Sequence, residues 1–274
     1  MSNLVQRVLV AIVAIPLVVW IVLSGGWYFA GFVALLAALG SDEFHRLALA
    51  KTAAVNRVLL LVCSAALPLM CMASGTTQMY LVATAVVLLV MTAELWRNIP
   101  NPLLNIAATL GGIAYVGGLF SSLVMLRNTP LITTASASSG AWLVMSVFLA
   151  IWTCDSAAYF AGLAFGKHKI FPRVSPKKSW EGSIAGALSA TALTAFLLPY
   201  VIPGFALHHA IAIGAIAGVV GQIGDFAESL LKRDANIKDS SSLIPGHGGI
   251  LDRFDSVLFV APSVLLYCTA FGLM

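Results

Sequence analysis

Long apolar segments alternate with short polar connections along the chain, and this pattern predicts membrane-spanning helices. A helix needs about 20 mostly apolar residues to cross a bilayer, and the period-two alternation of membrane strands does not recur. Backbone amides in hydrocarbon must also be hydrogen bonded within their own segment, which favours helices. We predict nine spans, at residues 4–23, 27–40, 57–73, 79–96, 104–126, 141–165, 180–201, 207–229 and 253–273. Because the second span is short, eight and ten spans are the alternatives.

Composition supports an all-α, polytopic integral membrane protein. Of 274 residues, 60% are hydrophobic and 9% charged, and the mean hydropathy is +0.97. The net charge of +4 reports membrane orientation, so we expect no nucleic acid partner. We interpret the first apolar run as a retained span, since no small-residue cleavage pattern follows it. The four cysteines lie in apolar segments without metal-ligand spacing.

The basic residues fall on one side of the predicted bundle. With nine spans and a cytoplasmic N-terminus, fourteen of the fifteen Lys and Arg residues are cytoplasmic, and Arg127 alone is outside. The positive-inside rule therefore indicates an N-in, C-out arrangement. The eleven acids also lie at the cytoplasmic side, although acids have little influence on topology. Their position calls for another explanation.

The ionisable residues divide the chain into two parts. The spans up to residue 126 contain few ionisable groups beyond loop charges, whereas each span after residue 140 has an acid near its cytoplasmic end. We therefore predict an N-terminal part, 1–140, of about five spans that serves as scaffold and dimer contact. A C-terminal part, 141–274, of about four spans would hold the active site at its cytoplasmic side.

A stripe of small residues leads to Asp225 on the eighth span. Gly214, Gly218 and Gly221 lie on the same helical face as Asp225. Glycines at such spacing let helix backbones approach closely, so this face should point into the bundle. Packing alone explains the glycines. For Asp225 the alternatives are a helix-end acid and a functional group, because an ionisable residue at membrane depth is costly.

The sixth span has the same design, since Asp155 shares a face with Gly162 and Gly166. Asp155 lies about half way along its apolar run, which makes it the deepest acid predicted. The wall of a polar cavity and a buried hydrogen-bond acceptor both fit this position.

The connection between the sixth and seventh spans is basic. It contains Ser175, Lys177, Lys178 and Ser179 just before a predicted helix N-terminus. One interpretation is a cytoplasmic loop attracted to anionic lipid headgroups. The other is a polyphosphate-binding segment that uses charge-assisted hydrogen bonds and the helix dipole. Glu181 is explained by the preference for acids in a first helical turn.

The segment 229–255 concentrates cations, acids and glycines. A Pro-Gly-His-Gly-Gly turn at 245–249 permits close backbone approach to a phosphate or metal. Asp252 and Asp255, three residues apart, project from one face of the last span. With Asp225 they offer hard carboxylate oxygens, the ligand type that favours Mg²⁺. His247 has no partner His or Cys nearby, so we interpret it as a loop-shaping or phosphate-contacting residue.

The same segment resembles the signature of the phosphatidate cytidylyltransferases, also called CDP-diacylglycerol synthases. That pattern runs Ser-x-apolar-Lys-Arg, then Lys-Asp, and ends in His-Gly-Gly-apolar-x-Asp-Arg-apolar-Asp. The matching residues are Ser229, Leu231, Lys232, Arg233, Lys238, Asp239, Ser241, Ile244, Pro245, His247, Gly248, Gly249, Ile250, Asp252, Arg253, Phe254 and Asp255. The segments 155–162 and 175–182 also resemble the family. The likeness covers about residues 140 to 274.

The resemblance implies the reaction of CTP with phosphatidate to give CDP-diacylglycerol and pyrophosphate. It implies a dimeric enzyme that depends on Mg²⁺, with K⁺ as a candidate second cation. A chain this short without a transit-peptide signature suggests a bacterial inner membrane. Asp225, Asp252 and Asp255 would bind metal, and together with Lys232 they are the catalytic candidates. The candidate substrate-binding residues are Lys177, Lys178, Ser179, Ser229, Arg233, Lys238, Asp239, His247, Gly248, Gly249, Arg253 and Asp155.

Two other functions compete with this interpretation. A CTP-dependent lipid-alcohol kinase would share the membrane bundle and the cytoplasmic acids but would release CDP. An ion-coupled transporter would also place acids in glycine-rich helices, but it predicts inverted repeats or charges spread through the bilayer depth, and the sequence shows neither.

Overall fold

Helices form nearly all of the protein in the computed structural model. The structure describes residues 3–51, 53–73, 76–128, 131, 138–237, 240–241 and 248–274, with side chains from residue 12 onward except at 76 and 77. No β-strand forms within these ranges. The helices are α1 (Asn3–Ser24), α2 (Gly26–Ala50), α3 (Arg57–Ala73), α4 (Thr76–Leu95), α5 (Pro102–Gly112), a π-helical segment (Ile113–Gly118), α6 (Leu119–Asn128), α7 (Ser139–Phe165), α8 (Trp180–Val201), α9 (Leu207–Asp234) and α10 (Leu251–Ala270).

A helix occupies each predicted span, and α5, the π-helical segment and α6 together occupy the fifth. Six helices within the described ranges are long and apolar enough to cross a membrane: Gln78–Leu95, Pro102–Asn128, Ser139–Phe165, Trp180–Val201, Leu207–Asp234 and Leu251–Ala270. The shorter apolar helices are Ile12–Ser24 and Arg57–Ala73. The protein is therefore an all-α, multi-pass membrane protein.

Helix α2 is longer than its apolar sequence predicts. The apolar run ends near residue 40, yet the helix continues to Ala50. Asp42 accepts hydrogen bonds from Arg46, at 2.6 Å, and from Arg57, at 2.8 Å. Glu43 is buried, with 2% of its surface exposed. Tertiary partners thus hold the polar end of α2, which hydropathy alone could not reveal.

The chain forms two compact units. The first unit comprises Met1–Met125 and Leu231–Arg253, and the second comprises Leu126–Leu230 and Phe254–Met274. The signature segment therefore folds largely with the N-terminal helices. The functional division between residues 140 and 141 is a separate prediction, which the packing of the units does not test.

In the second unit, the glycines of α9 face neighbouring helices, as the sequence predicts. A Cβ atom on Gly214 or on Gly218 would lie 2.6 Å from a backbone Cα of α8, that of Thr191 or Ala187. On Gly221 it would lie 3.3 Å from Val260 of α10. These contacts fix the face of α9 from which Asp225 projects.

Candidate active site

Lys178 and Asp225 form an ion pair in the second unit. The Lys178 ammonium contacts the Asp225 carboxylate and lies 4.7 Å from the centre of the Phe226 ring. Ser229 Oγ donates to the other carboxylate oxygen of Asp225 at 3.4 Å. Both side chains of the pair are 29% exposed, so solvent reaches this site. The structure thus brings together a predicted substrate-binding lysine and a predicted metal ligand.

The connection between α7 and α8, residues 166–179, contains Lys178, and its two ends are hydrogen bonded to each other. Lys169 and Ser179 form an isolated antiparallel bridge, and the Trp180 amide donates to the His168 carbonyl at 2.9 Å. Glu181 accepts from the His168 amide at 3.3 Å and contacts His168 Nδ1 at 2.6 Å. Glu181 therefore fastens the connection to the start of α8, a role that the helix-dipole argument alone does not give it.

Ser179 and Lys177 differ in their surroundings, although both are substrate-binding candidates. Ser179 is 3% exposed, and its Oγ accepts from the Gly182 amide at 3.3 Å as the N-cap of α8. Lys177 is exposed. The observed contact of Ser179 is structural, whereas Lys177 is accessible to a ligand.

Carboxyl groups of α7, α9 and α10 lie within electrostatic range of one another in the second unit. Asp255 of α10 is partly buried, and its carboxylate accepts from the Ser256 amide at 2.6 Å. Asp225, Lys178 and Asp155 all lie close enough to Asp255 to act on it electrostatically. Asp155 is exposed although it lies mid-helix, and its role stays a prediction.

In the first unit, Asp252 is the centre of the signature segment. Its Oδ1 pairs with Lys232 at 2.5 Å, where the two side chains are only 9% and 12% exposed. Its Oδ2 accepts from the Ser240 amide at 3.1 Å, Ser240 Oγ at 2.9 Å and the Gly249 amide at 2.8 Å. Gly248 has a φ of +81°, a conformation that glycine adopts most readily. Gly248 thus has the backbone conformation that a glycine at this position permits, whereas the approach of a phosphate or metal to the turn stays a prediction.

Glu43 of α2 is the site residue that the sequence analysis missed. Its Oε1 accepts from Ser241 Oγ at 2.6 Å and the Ile250 amide at 2.8 Å. Its Oε2 accepts from the Leu251 amide at 2.9 Å and lies 2.8 Å from Ser240 Oγ, whose single hydrogen is shared between Glu43 and Asp252. In the sequence, Glu43 is visible only as an acid just after the apolar part of the second span. The spacing of the residues around it does not indicate a partner about 200 residues away.

The remaining candidates divide by position. Arg233 and Arg253 are exposed. Lys238, Asp239 and His247 lie outside the described residues.

The donors present are suited in kind to Mg²⁺. Carboxylate oxygens are the ligands this ion prefers, and Asp225, Asp255 and Asp155 share one electrostatic neighbourhood with Lys178 as the nearby cation. Among the residues that the structure describes, however, no three His, Cys, Asp or Glu side chains are already grouped as metal ligands. Metal binding would therefore require side chains such as those of Asp225 and Lys178 to rearrange.

Residues 5–271 match the family model described as "Cytidylyltransferase family". The chain belongs to the cytidylyltransferase family. Three relatives named phosphatidate cytidylyltransferase show how far the similarity extends. The protein of Synechocystis sp. is 33% identical over 96% of this chain and 95% of its own length. That of Pseudomonas aeruginosa is 34% identical over 97% and 98%, and that of Haemophilus influenzae is 38% identical over 62% and 58%.

This cytidylyltransferase match extends the likeness found in the sequence. The signature and its neighbouring segments suggested similarity over about residues 140 to 274, but the family match begins at residue 5. It therefore includes α2 and Glu43. The N-terminal helices of this cytidylyltransferase belong to the family fold as much as the signature does.

Proposed function

We propose that this cytidylyltransferase transfers the CMP moiety of CTP to phosphatidate, giving CDP-diacylglycerol and pyrophosphate in phospholipid biosynthesis. The observation that carries the proposal is the family match over residues 5–271, together with relatives of that activity aligned over nearly the whole chain. The paired lysines and carboxylates, Lys178 with Asp225 and Lys232 with Asp252, are the groups that this chemistry needs.

The reaction balances without a general base. An anionic phosphate oxygen of phosphatidate attacks the α-phosphorus of CTP, a new P–O bond forms, and the bond to the β-phosphate breaks so that pyrophosphate leaves with its electron pair. Catalysis then consists mainly of positioning and charge neutralisation. We assign this work to Lys178 and Lys232, with the accessible cations Lys177, Arg233 and Arg253 holding phosphate oxygens.

We further propose that Asp225, Asp252 and Asp255 hold Mg²⁺, with K⁺ as a candidate second cation. Bound Mg²⁺ neutralises charge on the α-phosphate and on the leaving pyrophosphate. Lys178 and Lys232 each rest against one of these carboxylates. We expect each ammonium group to turn towards phosphate oxygens when substrate binds. Lys238, Asp239 and His247 stay candidates for substrate contact from their sequence positions.

The membrane arrangement is part of the proposal. We propose nine spans, a cytoplasmic N-terminus, an outer C-terminus, location in a bacterial inner membrane and a homodimer formed through residues 1–140. The distribution of basic residues supports the sidedness. Asn128→Cys and Arg173→Cys, each made in a variant whose four native cysteines are replaced by alanine, test it in intact cells. A membrane-impermeant maleimide should label Asn128→Cys and spare Arg173→Cys. The reverse pattern would contradict the orientation.

The decisive experiment supplies the detergent-purified protein with CTP, phosphatidate and varied Mg²⁺ and detects pyrophosphate and the nucleotide-lipid product together. Equal amounts of both products are expected. In a parallel assay a lipid alcohol such as diacylglycerol replaces phosphatidate, and release of CDP with the phosphorylated alcohol would indicate the kinase. Absence of CTP turnover with either lipid would favour the transporter. Sedimentation or native mass spectrometry of the same sample tests the homodimer.

A further inference from the structure

Glu43 links α2 to both described ends of the signature loop. Its four hydrogen-bond donors come from Ser240 and Ser241 on one side and from Ile250 and Leu251 on the other. The carboxylate is buried with 2% exposure. Charge-assisted hydrogen bonds of this kind are shorter and stronger than neutral ones, so this one side chain ties the loop together.

The contacts of Glu43 lead directly to Asp252. Ser240 Oγ lies 2.8 Å from Glu43 Oε2 and 2.9 Å from Asp252 Oδ2. The Ile250 and Leu251 amides immediately precede Asp252 and belong to the start of α10. Such amides have no partner within a helix, and Glu43 supplies one from another helix. The position of the Asp252 carboxylate therefore depends on Glu43.

Gly249 and the start of α10 pack closely against Glu43 and α2. A side chain on Gly249 would lie 2.6 Å from Glu43 Cδ, and a Cβ on Gly40 would lie 3.1 Å from Leu251. Lys51, the residue that follows α2, pairs with Asp234 at 3.0 Å, and both side chains are about half exposed. Exposed pairs of this kind add little to stability. Glu43, by contrast, is a buried polar anchor between α2 and the described ends of the loop.

We propose that Glu43 is a positioning residue for cytidylyl transfer, which acts by fixing Asp252 and the Lys232 ion pair in the geometry used in the reaction. This inference rests on the proposed function. It adds a residue from the N-terminal half to a site that the signature places wholly in the C-terminal half.

Glu43→Gln tests the proposal with little change in shape. One amide oxygen remains, but the NH₂ group faces a backbone N–H that can only donate. Asp42→Asn is the matched control, since the neighbouring Asp42 is held by Arg46 and Arg57 and not by the described ends of the loop. For each variant kcat and KM are measured per folded molecule, and deuterium exchange is followed at the Ile250 and Leu251 amides.

For Glu43→Gln we expect kcat to fall at least about tenfold while KM for CTP changes less, and the two amides to exchange at least about tenfold faster. Asp42→Asn should stay within about twofold on both readouts. An unchanged kcat per folded molecule would overturn the proposal, whether or not Glu43→Gln lowers the yield of folded protein.

Ser240→Ala provides a second route to the same link and leaves the other three Glu43 contacts in place. If Glu43 acts through Ser240 and Asp252, the double variant should lose less than the product of the two single losses. Independent, multiplicative losses would contradict the coupling. An inactive wild-type enzyme would reject the proposed function instead, and the exchange measurement would then decide the anchoring role by itself.

Discussion

Lys178 and Asp225 form an ion pair although 47 positions separate them in the chain. The sequence assigns cations to phosphate and carboxylates to metal, and here one of each is paired with the other. Each group thereby compensates the charge of its partner within a partly exposed site. Under the proposed function, Lys178 would turn to phosphate and Asp225 to metal. The role of Lys178 can therefore be tested by CTP turnover, and the role of Asp225 by metal binding.

Lys178→Met should lower kcat/KM for CTP by about 10² to 10³, the usual effect of removing one charge-stabilising group from an active site. The substitution keeps the length of the side chain and removes the ammonium group. Initial rates of nucleotide-lipid formation at varied CTP measure the effect.

Arg173→Met is the matched control, since Arg173 is an exposed cation of the same connection. We expect its kcat/KM to stay within about threefold of wild type, as is usual for a screened surface charge. Equal losses in both variants would mean that the connection supplies only a general positive potential.

Lys232→Met should destabilise the fold more than Lys178→Met does. The Lys232 pair with Asp252 is 12% and 9% exposed, whereas the Lys178 pair is 29% exposed on each side. Removing one partner of a buried pair leaves an uncompensated charge and costs about 3 kcal/mol or more. Denaturant unfolding in detergent compares the two variants. A larger loss for Lys178→Met would contradict the burial argument.

Gly218→Ala should destabilise the helix bundle, because the added methyl group would lie 2.6 Å from the backbone of Ala187. Overpacking of this kind costs about 1 to 3 kcal/mol. Gly31→Ala in α2 is the control, since no atom lies within 4 Å of its Cβ position. There alanine should stabilise the helix by about 0.5 to 1 kcal/mol. Melting temperatures that move in the same direction would refute this prediction.

Mg²⁺ removal should abolish turnover, and a direct binding experiment separates the metal site from catalysis. Mn²⁺, used as a paramagnetic probe, should bind Asp225→Asn at least about tenfold more weakly than wild type, because even residues that only support metal ligands contribute about that much. Asp42→Asn should bind normally. Undiminished Mn²⁺ binding by Asp225→Asn would remove Asp225 from the metal-ligand set.

The bounds of most helices could be predicted closely, because the length of each apolar run in the sequence sets the length of the helix. The seventh predicted span, 180–201, coincides with α8, and the third coincides with α3. The end of α2 could not be predicted in this way, because Asp42 is held by Arg57 and Glu43 by Ile250, contacts between separate elements that hydropathy does not contain.

The site divides in the same manner. Local spacing identified Asp225 with its glycines, and the turn around Gly248. It could not pair Lys178 with Asp225, nor bring Glu43 to Ile250, since these contacts depend on how separate helices pack. For Ser179 a ligand-binding role stays a prediction, and the contact observed for its buried hydroxyl is with the Gly182 amide at the start of α8.

The close fit of α9 against α8 has a consequence for motion during turnover. A shift of α9 by one residue combines a rise of about 1.5 Å with a turn of about 100°. It would bring Ile213 or Ala215 to the place of Gly214 against the backbone of Thr191, where even a methyl group does not fit. Such a shift of register is therefore sterically excluded. Under the proposed function, the substrate phosphate must come to Asp225 by its own movement and not by a one-residue shift of α9.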